Sequence, residues 1–500
     1  MQEKLAQFKE LMGTASDLSS AAALLGWDQQ TYMPPKAAEE RGEQLATLAR
    51  IVHEMITSEE FGRLLEDLLP YAQSLDGDST DARIILKAKK LYDKETKVPA
   101  EKVAEFARAT TLGQEAWVRA KTESNFESFK PYLEKIVDLR REYASYFKPY
   151  EHVYDPLLDD FEPGMKTADI LAIFSALRPQ QVELIKAIRE RPQVEDGFLK
   201  LNYPDALQWE FGVDVTRHMG YDWDAGRQDR AAHPFTTSFG IRDVRITTHI
   251  YEDQMASGLF STIHETGHAL YNQGIDWDLR RTVLADGASM AIHESQSRMW
   301  ENLVGRSRAF WRYFYPRLQA TYPAQLGNVD METFYKAINK VEPSFIRTEA
   351  DEATYNLHVM LRLELEIALM EGSLQVADLP AAWNDRMRDY LGVTPPNDRL
   401  GVLQDVHWSG GMIGYFPTYA LGNLVSAQLW TVINKDIPNL EQQFEQGQFS
   451  ALLDWLRKNV HQYGSKYEPQ ELVQRITGSK IDPTAYVAYL KTKYSDIYGL

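Results

Sequence analysis

The residues best able to do chemistry lie in one stretch, Leu259-Phe-Ser-Thr-Ile-His-Glu-Thr-Gly-His-Ala-Leu-Tyr271. Read as a helix, it places His264 and His268 four residues apart, on one face and a turn above each other. Two imidazoles so placed can grip a single metal ion. Glu265 follows about a third of a turn round, where its carboxylate reaches a water beside the metal without itself holding the metal. The chemistry such a set performs is hydrolysis by metal-activated water, with Glu265 as the base.

Chance produces this pentapeptide in a chain of such length on the order of a few per cent of the time, so its surroundings matter. Five of the eleven histidines, His233, His249, His264, His268 and His293, fall between positions 233 and 293. An even scatter would place far fewer there. A catalytic zinc needs three protein ligands and an open position for water. Glu294, in His293-Glu-Ser-Gln296, is the best third ligand, because enough chain separates it from His268 for one turn and a returning helix. His293 competes for the role. Adjacent helical side chains diverge, so both are not expected on one ion.

These side chains need a scaffold, and the composition bounds it. The 500 residues can bury a large core, and apolar and charged contents of 44% and 25% are those of a soluble globular protein. A net charge of −18 argues against nucleic acid or an acidic membrane face as a partner. With no cysteine, any metal is held by nitrogen and oxygen, which suits Zn2+ and admits Co2+ as a substitute. The opening residues are not followed by an apolar segment of signal-peptide length, Ala21 to Leu25 being too short, and no run suffices to cross a bilayer. A cytoplasmic location is expected.

Up to about residue 220 the pattern is helix after helix. Apolar residues recur at three- and four-residue steps in 37–55, 81–94, 100–122, 127–147 and 168–190, with Ser58 and Asp81 as caps and Pro179 expected to kink or split the last. Trp27 to Pro35 reads as an ordered loop pinned by Trp27, in preference to a substrate contact. Thr236–Ile241 and Asp243–Tyr251 are rich in β-branched and aromatic residues around Gly240, and read as a small hairpin whose edge could pair with an extended peptide. After a turn at Asp286–Ser289, helices are expected over 290–304, 330–339, 344–371, 378–391, 417–433, 448–461 and 483–497. The fold class is mainly α, one domain over 1–500, with 1–220 as an N-terminal helical wall and 221–500 carrying the metal site, a deep central cleft and one small sheet.

Six ordered motifs carry a family resemblance: His233-Pro-Phe235, Asp243-Val-Arg-Ile-Thr247, His264-Glu-Thr-Gly-His268, His293-Glu-Ser-Gln296, Ile346-Arg-Thr-Glu-Ala-Asp351 and Gly401-Val-Leu-Gln-Asp-Val-His-Trp408. In these the chain resembles the carboxypeptidase Taq family of zinc metallocarboxypeptidases. The resemblance implies a helical fold with a long, deep cleft, a homodimer, removal of single residues from peptide C-termini, and Glu294 as the third ligand. It also matches Arg347 to the position that recognises a free C-terminal carboxylate, a task suited to the planar guanidinium fork. On residue reading alone, Arg347 would instead pair with Glu349 or Asp351 on a solvated helix face.

His407 and the tyrosines Tyr415 and Tyr419 are candidate donors to the developing oxyanion, Tyr419 ahead of Tyr415. Arg245 is a candidate substrate contact or a brace for Asp243 or for an acid on the metal helix. His233 and His249 could bind substrate or orient ligands. Two other readings remain open: a zinc oligopeptidase or dipeptidase with no carboxylate clamp, and a helical binding protein with a structural zinc. In the last case Glu265 would be dispensable.

Overall fold

The computed structural model describes residues 1–500, a mainly helical chain around one three-stranded sheet. The first five expected helices occur as Ala38–Ile56, Thr80–Lys97, Ala100–Glu123, Phe126–Ser145 and Thr167–Arg189. Ser58 caps a further helix, Glu59–Ser74, by accepting from Phe61 N at 3.1 Å. Asp81 is no cap: it lies inside the first turn of Thr80–Lys97 and pairs with Lys9 at 2.6 Å. Pro179 does not split its helix, which continues to Arg189.

The first helix, α1 (Gln2–Thr31), runs through Trp27, so the expected loop is reduced to the few residues after Thr31. Trp27, near the end of α1, anchors it. The guanidinium of Arg245 stacks on its ring at 4.5 Å and that of Arg227 at 5.5 Å. Tyr32, just beyond, donates to Asp229. Through these contacts the helix is fixed to the sheet.

The sheet comprises β1 (Gly226–Arg230), β2 (Thr236–Gly240) and β3 (Asp243–Thr248), in the order β1-β3-β2. β3 pairs parallel with β1 and antiparallel with β2, with an irregularity between Ser238 and Gly240. The hairpin is as expected, but β1 is an addition; its sequence, Gly-Arg-Gln-Asp-Arg, has no β-branched or aromatic residue to signal a strand. Val244 and Ile246 of β3 are fully buried, and β1 and β2 are left as the two edges.

Against β3 packs α2 (Met255–Gln273), and against α2 packs α3 (Met290–Arg298), which continues as a π-helical segment to Val304. Ser289 caps α3 by accepting from Ile292 N at 3.1 Å. The approach of α2 to α3 requires Gly267, where an added Cβ would lie 2.6 Å from Ser297 Cα. The expected helix over 344–371 starts late, as α4 (Glu352–Glu371) capped by Asp351, and Arg347–Glu349 forms only a short 3-10 turn. Last of the site-bearing helices is α5 (Pro417–Asp436), with Gly422 against α3: a Cβ there would meet Glu294 Cγ at 2.6 Å. Helices Arg308–Thr321 and Pro469–Thr477 are also present beyond those expected.

One apolar core runs from Ala116 to Tyr498 and encloses α2 to α5. A smaller second core joins α1, Glu59–Ser74 and Thr80–Lys97 to Ile241, Ile275, Leu279 and Leu284. The N-terminal helices thus pack on the site-bearing half through their own apolar seam. No helix is long and apolar enough to cross a membrane.

Candidate active site

Helix periodicity puts His264 and His268 on the face of α2 that meets α3, and Glu294 comes from α3 opposite them. Glu294 Oε2 lies 3.7 Å from His264 Nε2 and 3.5 Å from His268 Nε2. The three donor atoms all lie within 4.8 Å of one another. Ligands of a tetrahedral zinc with bonds of 2.0–2.1 Å sit roughly 3.4 Å apart, so this donor set fits the ion.

The remaining atoms of the three side chains are already committed. Arg298, one turn beyond Glu294, donates from Nε to Glu294 Oε1 at 2.7 Å, leaving Oε2 to face the imidazoles. Burial acts to raise the Glu294 carboxyl, but Arg298 and the His264 ring outweigh it and hold it well below the usual carboxylate range. Glu301, in the π-helical segment, accepts at Oε2 from His264 Nδ1 at 2.9 Å and from Arg298 Nη1 at 3.2 Å. His268 Nδ1 meets His293 Nδ1 at 2.6 Å, and His293 Nε2 meets Asn272 Oδ1 at 3.0 Å. His293 therefore backs His268 and does not turn toward the donor cluster.

Glu265, only 8% exposed, accepts at Oε2 from Thr236 Oγ1 of β2 at 2.6 Å. That bond ties the carboxylate to the sheet edge and leaves its other oxygen free. The same hydroxyl lies 2.9 Å from the Glu265 carbonyl.

Tyr419 lies one turn before Gly422, so the face of α5 that abuts Glu294 also carries its ring. His407 Nε2 lies 3.4 Å from Tyr419 Oη, and the Tyr415 and Tyr419 rings meet edge-on at 5.2 Å. Burial pushes the His407 imidazole down to about 4, with Arg347 and Arg362 adding to the effect against Asp405. It is neutral at neutral pH and can donate one hydrogen bond.

Arg347 is 4% exposed and does not pair with Glu349 or Asp351. Its Nη2 donates to Asp405 Oδ1 at 2.8 Å and its Nη1 to Tyr355 Oη at 2.8 Å. Asp405 also binds the fully buried Arg362, at 2.7 Å from Nε to Oδ2. Burial would raise the Asp405 carboxyl, yet Arg362 and Arg347 hold it far below its usual range. Two guanidinium groups share one carboxylate here, so the pocket keeps a net positive charge.

Other candidates sit differently. Arg245 grips Asp243 with both nitrogens, at 2.8 and 2.9 Å, and stacks on Trp27, which ties it into the sheet. His249 Nδ1 is 2.9 Å from Ala231 O, closing the turn after β1. The His233 side chain is exposed and makes no hydrogen bond. Arg298, Glu301, Thr236, Tyr355 and Asp405 are not among the residues drawn from the sequence. A signal existed for two of them: Glu294, Arg298 and Glu301 follow at steps of four and three, and so share a helix face.

A helical scaffold presenting two histidines a turn apart, a carboxylate from the next helix and a tethered acid beside them is the layout of a metallopeptidase. Residues 7–494 match the carboxypeptidase Taq (M32) metallopeptidase family, and the chain belongs to it. It is 42% identical to thermostable carboxypeptidase 1 of Thermus thermophilus, over 96% of each chain. It is 38% identical to carboxypeptidase 1 of Bacillus subtilis, over 99% of this chain and 98% of that one. The crystal structure of the M32 carboxypeptidase from Deinococcus radiodurans superposes with a TM-score of 0.97 at 40% identity, covering all of both chains. The protein is a metallocarboxypeptidase.

Proposed function

We propose that the protein removes single residues from the C-termini of peptides with a zinc ion held by His264, His268 and Glu294, and with Glu265 as general base and acid. The observation that carries this is the convergence of two Nε2 atoms and one Oε2 atom, each with its second polar atom bonded elsewhere, beside a carboxylate that Thr236 restrains. A zinc bound there supplies Lewis-acid polarisation of the scissile carbonyl and lowers the pKa of water to about 7. Glu265 accepts a proton from the attacking water and delivers it to the leaving amine. His407 and Tyr419, with Tyr415 beside them, donate to the oxyanion as the carbonyl becomes tetrahedral. Arg347 receives the substrate's C-terminal carboxylate in the positive pocket it forms with Arg362. His233, exposed before the β2 edge, is placed to contact the rest of the peptide, whose backbone can extend along that edge. Arg245 acts through the sheet.

Co2+ fits the same nitrogen and oxygen donors. A homodimer, which the family resemblance implies, and a cytoplasmic location belong to the same reading.

One observation favours the oligopeptidase alternative: Arg347 already has Asp405 and Tyr355 as partners. Matched peptides ending in a free acid or an amide separate the two. Incubated with the purified protein and followed by mass spectrometry, the acids should lose one residue at a time and the amides should persist. Chelation should stop the reaction and added zinc restore it. Equal trimming of acid and amide would sink the exopeptidase reading.

A further inference from the structure

Between the donor cluster and the carboxylate pocket stands the ring of Tyr355, with Tyr419 beside it. Tyr355, on α4, is 5% exposed. Its hydroxyl accepts from Arg347 Nη1 at 2.8 Å, and the guanidinium of Arg298 stacks on its ring at 4.4 Å. Arg298 is in turn bonded to Glu294. A continuous chain of buried and largely buried groups therefore runs Glu294, Arg298, Tyr355, Arg347, Asp405, Arg362, and every member other than Tyr355 is charged.

We infer that Tyr355 is a positioning residue that sets the separation between the metal cluster and Arg347, and thereby the number of residues removed at each cut. The inference rests on the carboxypeptidase reading above. An extended peptide advances by about 3.3–3.6 Å per residue. With its carboxylate on Arg347, the substrate places one particular carbonyl at the cluster, and a shift of the guanidinium by about one such step would present the next. The phenol opposes that shift from one side and Asp405 from the other. Arg362 holds Asp405 with Nε at 2.7 Å and Nη2 at 2.6 Å, so the far side does not yield. The Tyr419 ring, edge-on to Tyr355 at 6.1 Å, blocks tilting of the ring between them. Without the hydroxyl, Arg347 keeps only an acceptor that it shares with Arg362.

The test is Tyr355→Phe in the full-length zinc enzyme, with Asp405→Asn as the variant that loosens Arg347 from its other side. For Tyr355→Phe, KM for free-acid peptides should rise roughly tenfold, the loss of one hydrogen bond to a charged group, while kcat changes by less than about threefold. Dipeptides should join single residues among the first products in the mass spectrum. Zinc content should match the parent, and the variant should stay folded with its melting temperature lowered by no more than a few degrees. Calorimetry on zinc-free protein with a short acylated peptide, as acid and as amide, should show the parent preferring the acid and both variants losing that preference. Parent-like KM, products and acid preference in Tyr355→Phe overturn the assignment, as does loss of zinc or of the fold, which would make Tyr355 a packing residue. A parent that itself binds acid and amide alike removes the underlying carboxypeptidase reading, an outcome distinct from failure of the variant alone.

Discussion

His268 and His293 face each other through their Nδ1 atoms at 2.6 Å, which fixes the tautomers of both rings. A histidine that offers Nε2 to a metal keeps its proton on Nδ1, so His268 donates and His293 Nδ1 accepts. The His293 proton then sits on Nε2 and is donated to Asn272 Oδ1 at 3.0 Å. Burial, with His268 beside it, lowers the His293 pKa well below the ordinary value, which suits a neutral acceptor. His264 is oriented by a different device, the Glu301 carboxylate on its Nδ1. The two imidazoles thus have unequal supports, one anionic and one neutral.

That inequality predicts unequal losses. Partners that orient metal-binding histidines are worth about 10–100-fold in metal affinity. His293→Phe should weaken zinc binding by about tenfold, and Glu301→Gln by more, since the charge-assisted bond is the stronger. Competition against a chromophoric chelator measures both. Equal affinities in parent and His293→Phe would mean that the ring only fills space.

The restraint on Glu265 predicts a pair of variants with separable effects. Glu265→Gln should retain zinc and lose roughly 10²–10⁴ in kcat, the usual worth of a positioned general base. Thr236→Val should lose about tenfold, because the carboxylate keeps its chemistry but not its aim, and Thr236→Ser should restore most of it. If the serine variant stays as slow as the valine, the hydroxyl bond at 2.6 Å is not what orients the base.

The parts of the site that were legible are those written at helical spacing. His264, Glu265 and His268 sit within five consecutive positions, and Glu294 follows after one turn and a returning helix. The β2–β3 hairpin is marked by its β-branched residues, whereas β1 is polar in sequence and is held as a strand by backbone pairing with β3. Read from the residues alone, Arg347 would pair with an acid of its own segment, and the structure does not show that pairing. Glu349 and Asp351 were the near choices, and the fold supplies Asp405, far along the chain, because only that acid shares the buried space with Arg362. Pairings across such separations leave no periodic trace. The late start of α4 has the same origin: Arg347 is turned inward to Asp405, and a regular helix over 344–350 could not do that and leave Asp351 as the cap.

Glu366 supplies a prediction about the loop carrying His407. Fully buried on α4, it accepts from Trp408 Nε1 at 2.8 Å, from Tyr154 Oη at 2.6 Å and from Gly414 N at 3.0 Å. Three donors converge on one carboxylate, so an amide cannot satisfy them all. Glu366→Gln should cost about 1–3 kcal/mol of stability, shift the Trp408 fluorescence, and lower kcat while leaving the zinc content unchanged. Parent-like emission together with parent-like kcat would show that the 408–414 loop is held by other contacts.

The buried ionisable groups predict how stability follows pH. Burial pushes His461 down to about 3, with Arg457 adding to it, and His407 down to about 4. Unfolded histidines titrate near 6.5. Between these values the unfolded chain binds more protons, so the histidine contribution is fully present above about pH 6.5 and is lost as pH falls toward 4 and 3. Glu162 and Glu366 run the other way. Burial raises them to about 8 and about 7, against about 4.3 when unfolded, so the folded chain holds the extra protons and their contribution is lost as pH rises through that window. His461 Nε2 bonds Gln296 Oε1 at 2.9 Å, so His461→Phe should lower the melting temperature at pH 8 yet flatten its fall between pH 6.5 and 4. Glu162 has one oxygen without a partner, and Glu162→Gln should flatten the loss between pH 5 and 8 at little cost at pH 5. Melting curves across that range decide it: a His461→Phe protein that loses stability with acid as steeply as the parent would show that its acid sensitivity originates elsewhere.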